Sequence, residues 1–322
     1  MKKLLAGAAL AVMAMVGTAQ ADGHESYPER PVMMMVSYGA GGATDFQARI
    51  VTMTAGNEDA LGMPIAILNK PGAGGRVGWN WLATQAEADG YTLGAYNVPH
   101  FIAQSIKGGV SYSVESFEPI ANWGADPAVL VVGADSEFNS LQDVVDFAKA
   151  NPGKLTTSGA GLFVGHHIAA LQMEKAGDFK IAYIPTKGGG AAAMKAVIAG
   201  DVMAGINNLS DAFRAREAGN VKILAVADLE RNEFLPDVPT MMEGGLDVDN
   251  ASVNFRGVMV PKGTPQPIID KLAATVPTMF ENGRVAGKMK AGGSPMNVMT
   301  RDEVLDMWAK RQETLTELLA GL

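Results

Sequence analysis

The sequence predicts an α/β protein in two halves, each a mostly parallel sheet flanked by helices. Three observations lead there. Short apolar runs alternate with amphipathic stretches, the pattern of strand–helix units. The glycines, 38 in all, concentrate in short runs between a buried run and a helix-patterned one. The same pattern starts again after Asn151-Pro152-Gly153, with no Pro/Ser-rich linker between the halves. At 322 residues the chain has room for two domains.

The elements follow in order. Lys2 and Lys3 precede an uncharged apolar run, and Ala19-Gln20-Ala21 has the small-x-small pattern of a signal-peptidase site. Residues 1–21 are therefore expected to be a signal peptide cleaved after Ala21, which makes the mature chain an exported, periplasmic protein. Residues 31–37 (PVMMMVS) read as a buried strand, followed by a glycine turn and a helix with Phe46, Ile50, Met53 and Leu61 on one face. Residues 65–68 and 91–95 are further strands, separated by a turn at 69–75 and a helix through Trp79, Leu82 and Ala86. Residues 128–132 (AVLVV) form a strand, and Ser140 caps a helix carrying Leu141, Val144, Val145 and Ala148.

In the second half, strands are expected at 154–158, 181–184, 202–206, 221–226 and 255–260. Helices are expected at 164–176, in the stretch ending at Gly200, and after Pro265 in the first turn, with Ile268, Ile269, Leu272 and Val276 inward. Thr300 and Glu303 form a capping box for a last helix through Val304, Met307, Trp308 and Leu315. Without a linker, the halves are expected to be joined by strands crossing near 122–126 and 252–256. One lobe is then discontinuous: residues 22–124 plus 254–322 form the first, and 125–253 the second.

Composition narrows the function. A net charge of −8 supplies no basic face for nucleic acid. The chain has no Cys, which excludes thiolate metal sites, iron–sulfur clusters and Cys nucleophiles. Its four histidines are His24, His100, His166 and His167; adjacent His166 and His167 on a helix diverge and cannot chelate one metal. No H-E-x-x-H, G-x-S-x-G, S-x-x-K or Walker loop occurs, and Gly72-Ala73-Gly74 and Gly159-Ala160-Gly161 lack the third glycine of a dinucleotide fingerprint. No catalytic residue, metal or cofactor is assigned.

Four glycine turns carry the remaining signal: residues 38–45, 71–76, 158–163 and 186–191. A strand–turn–helix corner leaves free N–H groups and the positive end of a helix dipole facing one point, which favours an anion. Any one such turn is equally explained as a tight connection. Four, spread over both halves, point to an anion held between them. Thr44 and Gln47 are spaced as a capping box, so the Thr44 hydroxyl either caps its helix or faces the ligand. Asp45 would repel a carboxylate, so bracing the loop or holding a water is its expected role. Lys187 is either a solvated loop tip or a ligand charge. Of Trp79 and Trp81, one ring is expected buried and the other partly exposed. Asn207 and Asn208 end a strand, where an amide either donates to a carboxylate or shapes a turn.

The motifs resemble a known family. Tyr27-Pro28-x-Arg30-Pro31, then Gly41-Gly42-Ala43-Thr44-Asp45 with Ala48-Arg49, is similar to the opening of the tripartite tricarboxylate transporter receptors, also called Bug proteins. Asn69-Lys70-Pro71-Gly72-Ala73-Gly74-Gly75, Asp89-Gly90-Tyr91-Thr92-Leu93, Leu235-Pro236-Asp237-Val238-Pro239-Thr240 and Pro261-x-Gly263-Thr264-Pro265 continue the match in order. The resemblance implies a two-lobed, type II-like periplasmic binding protein with two crossover strands as its hinge, closing on a ligand. It implies a carboxylate held by one loop from each lobe, through backbone N–H groups and ordered waters. Carried over, the first loop is Tyr38, Gly39, Ala40, Gly41, Gly42, Ala43, Thr44 and Asp45. The second is Thr186, Lys187, Gly188 and Gly189, with Ser158, Gly159 and His166 nearby; Gly74, Asn207 and Asn208 complete the candidate set. Ala40, Thr186 and Ala191-Ala192 stand where the family often has Pro, Tyr and Pro-Ala.

The resulting expectation is a monomeric receptor for a small organic anion, a di- or tricarboxylate or an aromatic acid, handed to membrane permease subunits. A ligand-sensing partner of a signalling receptor and an exported enzyme are the other readings; the enzyme lacks a nucleophile–base pair.

Overall fold

A computed structural model describes residues 26–320. The expected signal peptide and cleavage point, and His24, lie outside the described residues. Strand and helix alternate through β1 (Val32–Val36), α1 (Ala43–Val51), β2 (Ile65–Asn69), α2 (Arg76–Thr84), β3 (Thr92–Val98) and α3 (His100–Lys107). Next come β4 (Phe117–Asp126), β5 (Ala128–Gly133), α4 (Leu141–Ala150), β6 (Leu155–Gly159), α5 (Gly165–Gly177), β7 (Ile181–Pro185) and α6 (Gly190–Ile198). The chain continues through β8 (Ala204–Asn208), α7 (Leu209–Glu217), β9 (Val221–Ala227), β10 (Asn254–Pro261), α8 (Gln266–Phe280), α9 (Gly283–Ala291), β11 (Met296–Met299) and α10 (Arg301–Leu319). Among the described residues, no helix is long and apolar enough to cross a membrane.

These elements form two sheets, with strand orders β11-β4-β10-β3-β1-β2 and β7-β6-β8-β5-β9. Both are mixed, which corrects the expectation of mostly parallel sheets. β1 pairs in parallel with β2 and β3, but β10 runs antiparallel to β3 and β4. In the second sheet β6 is parallel to β7 and β8, while β5 is antiparallel to β8 and β9. The chain steps from one sheet to the other across Pro127 alone, between β4 and β5, and returns ahead of β10. There Asn254 is in register with Asp126, so the two crossing strands lie side by side.

Side-chain alternation builds the cores. On β5, Ala128, Leu130 and Val132 face one apolar cluster, and Val129 and Val131 face another on the opposite side of the sheet. The larger sheet buries Met34, Trp79, Tyr96, Phe101, Trp123 and Trp308 in a single cluster. Trp79 is buried and Trp81 half-buried, with Lys70 over its ring. The predicted caps on α4 and α10 are present. α8 begins at Gln266 with Pro265 as its N-cap, one position later than expected.

α1 departs from expectation. It ends at Val51, and residues 52–62 form turns, although Leu61 still reaches the core. Its N-cap is Gly42, so the Thr44–Gln47 capping box does not form. Both side chains are drawn inward instead. Thr44 Oγ1 accepts from Asn97 Nδ2 at 3.0 Å and Arg256 Nε at 3.2 Å, and Gln47 bonds Asp126, Ser210 and Trp123.

Candidate functional site: a glycine-lined cleft between the sheets

The four glycine turns meet in two pairs, each joining one sheet's elements to the other's. The β1–α1 turn faces the β7–α6 turn: a Cβ on Gly39 would lie 3.2 Å from Gly188 O, and one on Gly42 would lie 3.7 Å from Ala191 N. The turn before α2 faces the turn after β6, where a Cβ on Gly161 would lie 2.7 Å from Gly74 Cα. Gly161 also has a φ of 155°. Only glycine permits this backbone-to-backbone approach. All these corners sit at the carboxyl ends of parallel strands, where open α/β sheets bind ligands.

Between the turns lies a narrow cavity of about 10 Å³. That is room for roughly one water. Of the candidate residues, Tyr38, Gly39, Gly42, Ala43, Thr44, His166, Gly188 and Asn208 line it. His100, Ala160, Gly190 and Asn254 line it as well, and the sequence reading did not single them out.

The other candidates shape the walls. Asp45 accepts from Gly41 N at 2.9 Å and from Asn69, and pairs with Arg49 at 2.9 Å, bracing the loop. Although partial burial raises its pKa, the bonds from Arg49, Gly41 and Asn69 outweigh this and hold its carboxyl below the usual range. Ser158 Oγ donates to Ala193 O, and Gly159 O accepts from Thr186 N and Oγ1. Asn207 Nδ2 holds Gly190 O at 3.0 Å at the start of α6. Gly74 O accepts from Tyr38 and Gln104, Gly189 packs on the Tyr38 ring, and Lys187 is exposed at its loop tip.

The lining is rich in donors yet carries no Lys or Arg. The first N–H groups of α1 and α6 have no intrahelical acceptors, and both helices start at the cavity. Thr44 Oγ1 already accepts two hydrogen bonds, so its remaining capacity is its own proton. Burial pushes His166 down to about 4 and His100 well below its ordinary range, so both imidazoles are neutral near pH 7. Burial also pushes the Tyr38 hydroxyl up, keeping it protonated.

Behind Thr44 stands a fully buried ion pair, Arg256 Nη1 to Asp126 Oδ2 at 2.5 Å, on the two crossing strands. Ser210, on α7, donates its hydroxyl to the same carboxylate. Asn97 donates to Asn254, and Asn254 to Asn208, extending the network across the junction. Asn254 and Arg256 were legible only as part of a crossing strand.

Larger depressions lie elsewhere. One of about 610 Å³, between α10 and Asp249–Ala251 of the return segment, mixes Asp249, Glu303 and Asp306 with Lys310 and Arg311 and includes none of the glycine turns. Another, about 520 Å³, sits by Val202 and Met203, at the opposite end of β8 from Asn208. Among the described residues, no group of three or more His, Asp or Glu is placed to hold a metal.

A cleft of helix N-termini between two α/β units is what a solute receptor would need, and sequence comparison decides the family. A family model described as the tripartite tricarboxylate transporter family receptor matches residues 48–310. The chain belongs to that family. Members of the tripartite tricarboxylate receptor family are solute-binding receptors, and the curated relatives span nearly the whole molecule. Protein BugT of Bordetella pertussis is 32% identical over 294 residues, covering 90% of this chain and 89% of BugT. A protein from the tcbD–tcbE intergenic region of Pseudomonas sp. strain P51 is 30% identical over 301 residues, covering 91% and 88%. Among solved structures, the periplasmic binding protein BugD superposes with a TM-score of 0.83 at 28% identity, covering 92% of this chain and 98% of BugD. MatC from Rhodopseudomonas palustris, solved with bound malate, gives 0.82 at 25% identity, covering 91% and 99%.

Proposed function

We propose that this chain captures a small organic carboxylate between its two lobes and presents it to the membrane subunits of a tripartite tricarboxylate-type transporter. One observation carries the reading: the β1–α1 and β7–α6 turns, from different sheets, converge on one narrow cavity lined by donors without a cationic side chain. Helix N-termini and neutral donors favour an anion, and exclusion of water strengthens each N–H to carboxylate bond. The malate bound by the relative MatC is an anion of this class.

In this reading residues 22–124 and 254–322 form one lobe and 125–253 the other, with the hinge at Pro127 and the segment entering β10. The loops 38–45 and 186–191 supply the carboxylate contacts, with His166 and Asn208 beside them. Residues 1–21 direct export to the periplasm and are cleaved after Ala21, and the receptor acts as a monomer.

Thermal unfolding against a panel of carboxylates, each matched with its neutral amide, tests this. An acid at ~100 times its dissociation constant adds ~2.7 kcal/mol to the stability. Amides that stabilise as well as their acids defeat the anion reading.

A further inference from the structure

We propose that His100 and His166 form a directed pair that takes a hydroxyl of the ligand, so that the solute of this receptor is a hydroxy acid. The inference rests on the carboxylate-receptor reading above and narrows it.

The argument follows the protons. His166, at the start of α5, accepts the Ala160 N–H on Nδ1 at 3.1 Å. A backbone N–H can only donate, so a neutral His166 carries its proton on Nε2. On the other side, Tyr38 Oη lies 3.0 Å from Gly74 O and 2.6 Å from His100 Nδ1. A carbonyl can only accept, so the single Tyr38 proton points at Gly74. The second bond must then take its proton from His100 Nδ1, which leaves His100 Nε2 a bare acceptor. One imidazole offers a donor and the other an acceptor.

Both Nε2 atoms are buried without a hydrogen-bond partner, and both rings line the same cavity. The ring centroids are 6.5 Å apart. One oxygen hydrogen-bonded to both nitrogens needs them within about 5.6 Å of each other, a spacing that rings at this centroid distance reach when their Nε2 atoms face one another. A Cβ on Gly165 would lie 3.2 Å from His100 Nε2, so only a glycine at the start of α5 leaves no side chain against that nitrogen. Asn208 lies within hydrogen-bonding reach of His166 and through that interaction favours its charged form, but burial dominates and the ring stays neutral; a ligand hydroxyl then competes with Asn208 for the Nε2 proton.

A group between these nitrogens must accept on one side and donate on the other. A hydroxyl does both. A carboxylate oxygen satisfies His166 but sets its lone pair against that of His100, and an ammonium has no acceptor for His166. Two donors, the arrangement a second carboxylate needs, would require Tyr38 to turn from Gly74 O to His100 Nδ1. Gly74 O would then keep only Gln104 Nε2, at 2.9 Å.

Calorimetric titration of the purified chain with acids differing only in a hydroxyl tests the proposal: lactate against propionate, and malate against succinate. A site built for a hydroxyl rejects the analogue that lacks it, so the hydroxy acid of a binding pair is expected to bind at least ~10-fold tighter. H100F abolishes that preference. Imidazole ¹⁵N spectra of the unmutated protein, which do not depend on a variant folding, are expected to place the proton on Nδ1 of His100 and Nε2 of His166. Equal affinities within a pair, the result if water alone bridges the histidines, overturn the inference. So does an Nε2 proton on both rings. If no acid of either kind binds, the receptor reading falls and takes this inference with it.

Discussion

His166 and His167 are neighbours that spend their Nδ1 atoms on the same task, accepting the N–H groups of Ala160 and Phe163 as the loop turns into α5. Burial pushes both down to about 4, from an ordinary value of 6.5. Between those values the unfolded chain takes up protons that the folded chain refuses, so stability falls as pH drops from 6.5 toward 4. Each histidine contributes about 3 kcal/mol over the full window. Asp211, whose carboxyl burial pushes up, works in the opposite direction and offsets part of this. Urea midpoints are expected to fall between pH 7 and pH 4.5, with a shallower fall in H167Q; a flat profile would refute the assignment. At this scale the sequence was half legible. Asp45 could be recognised as a brace because its charge is wrong for a carboxylate ligand. Thr44 could not be read as a receiver of Arg256, because that bond depends on a strand more than two hundred residues away. His100 was visible only as one of four histidines, and its place at the cavity is set by the packing of Tyr38.

Helix α7 shows what an element can do that its pattern does not announce. Asp211 Oδ2 accepts from Ala43 N at 3.2 Å, capping α1 from an element that belongs to the other sheet's run of chain. Arg214 pairs with Asp211, stacks over Phe46 at 4.3 Å and donates to Gly292 O. Replacing Asp211 by Ala removes an α1 cap and leaves Arg214 without its carboxylate, for an expected loss of about 1–2 kcal/mol in chemical denaturation. Asp211→Asn keeps an acceptor for Ala43 N and is expected to lose less; equal losses would show that the charge, not the cap, matters. α7 was missed in the sequence because its polar residues leave a weak apolar stripe. Its partners are buried polar groups. Only the end of β4, the crossing near 122–126, is legible in the sequence; its start is not, because Pro119 breaks the apolar run, yet Pro119 is tolerated beside a register shift opposite Met259. α1 was drawn too long because Leu61 continues the apolar spacing from a turn. Strand direction was not legible either: a buried run has the same composition whether its neighbour is parallel or antiparallel.

Across the whole molecule the glycine turns act as two cross-lobe contacts, 39–42 against 188–191 and 74 against 161, with the Arg256–Asp126 pair at the crossing strands between the sheets. The acidic chain and the proposed anionic ligand do not conflict. Helix ends and neutral donors set the potential in the cavity, while the net charge of −8 acts over the solvated surface. The cavity has room for roughly one water, so under the proposed function an acid is taken up in a more open form, and it favours closure only by contacting both lobes. The absence of cysteine makes this measurable, because two introduced cysteines carry the only labels. Spin labels at exposed Asp59 and Lys154, one on each lobe, are expected to report a broad or double distance distribution without ligand. A saturating carboxylate is expected to collapse it to one narrow distance. A single distance that binding leaves unchanged would mean that the acid enters without the lobes separating. The paired turns would then be a fixed scaffold instead of a clamp.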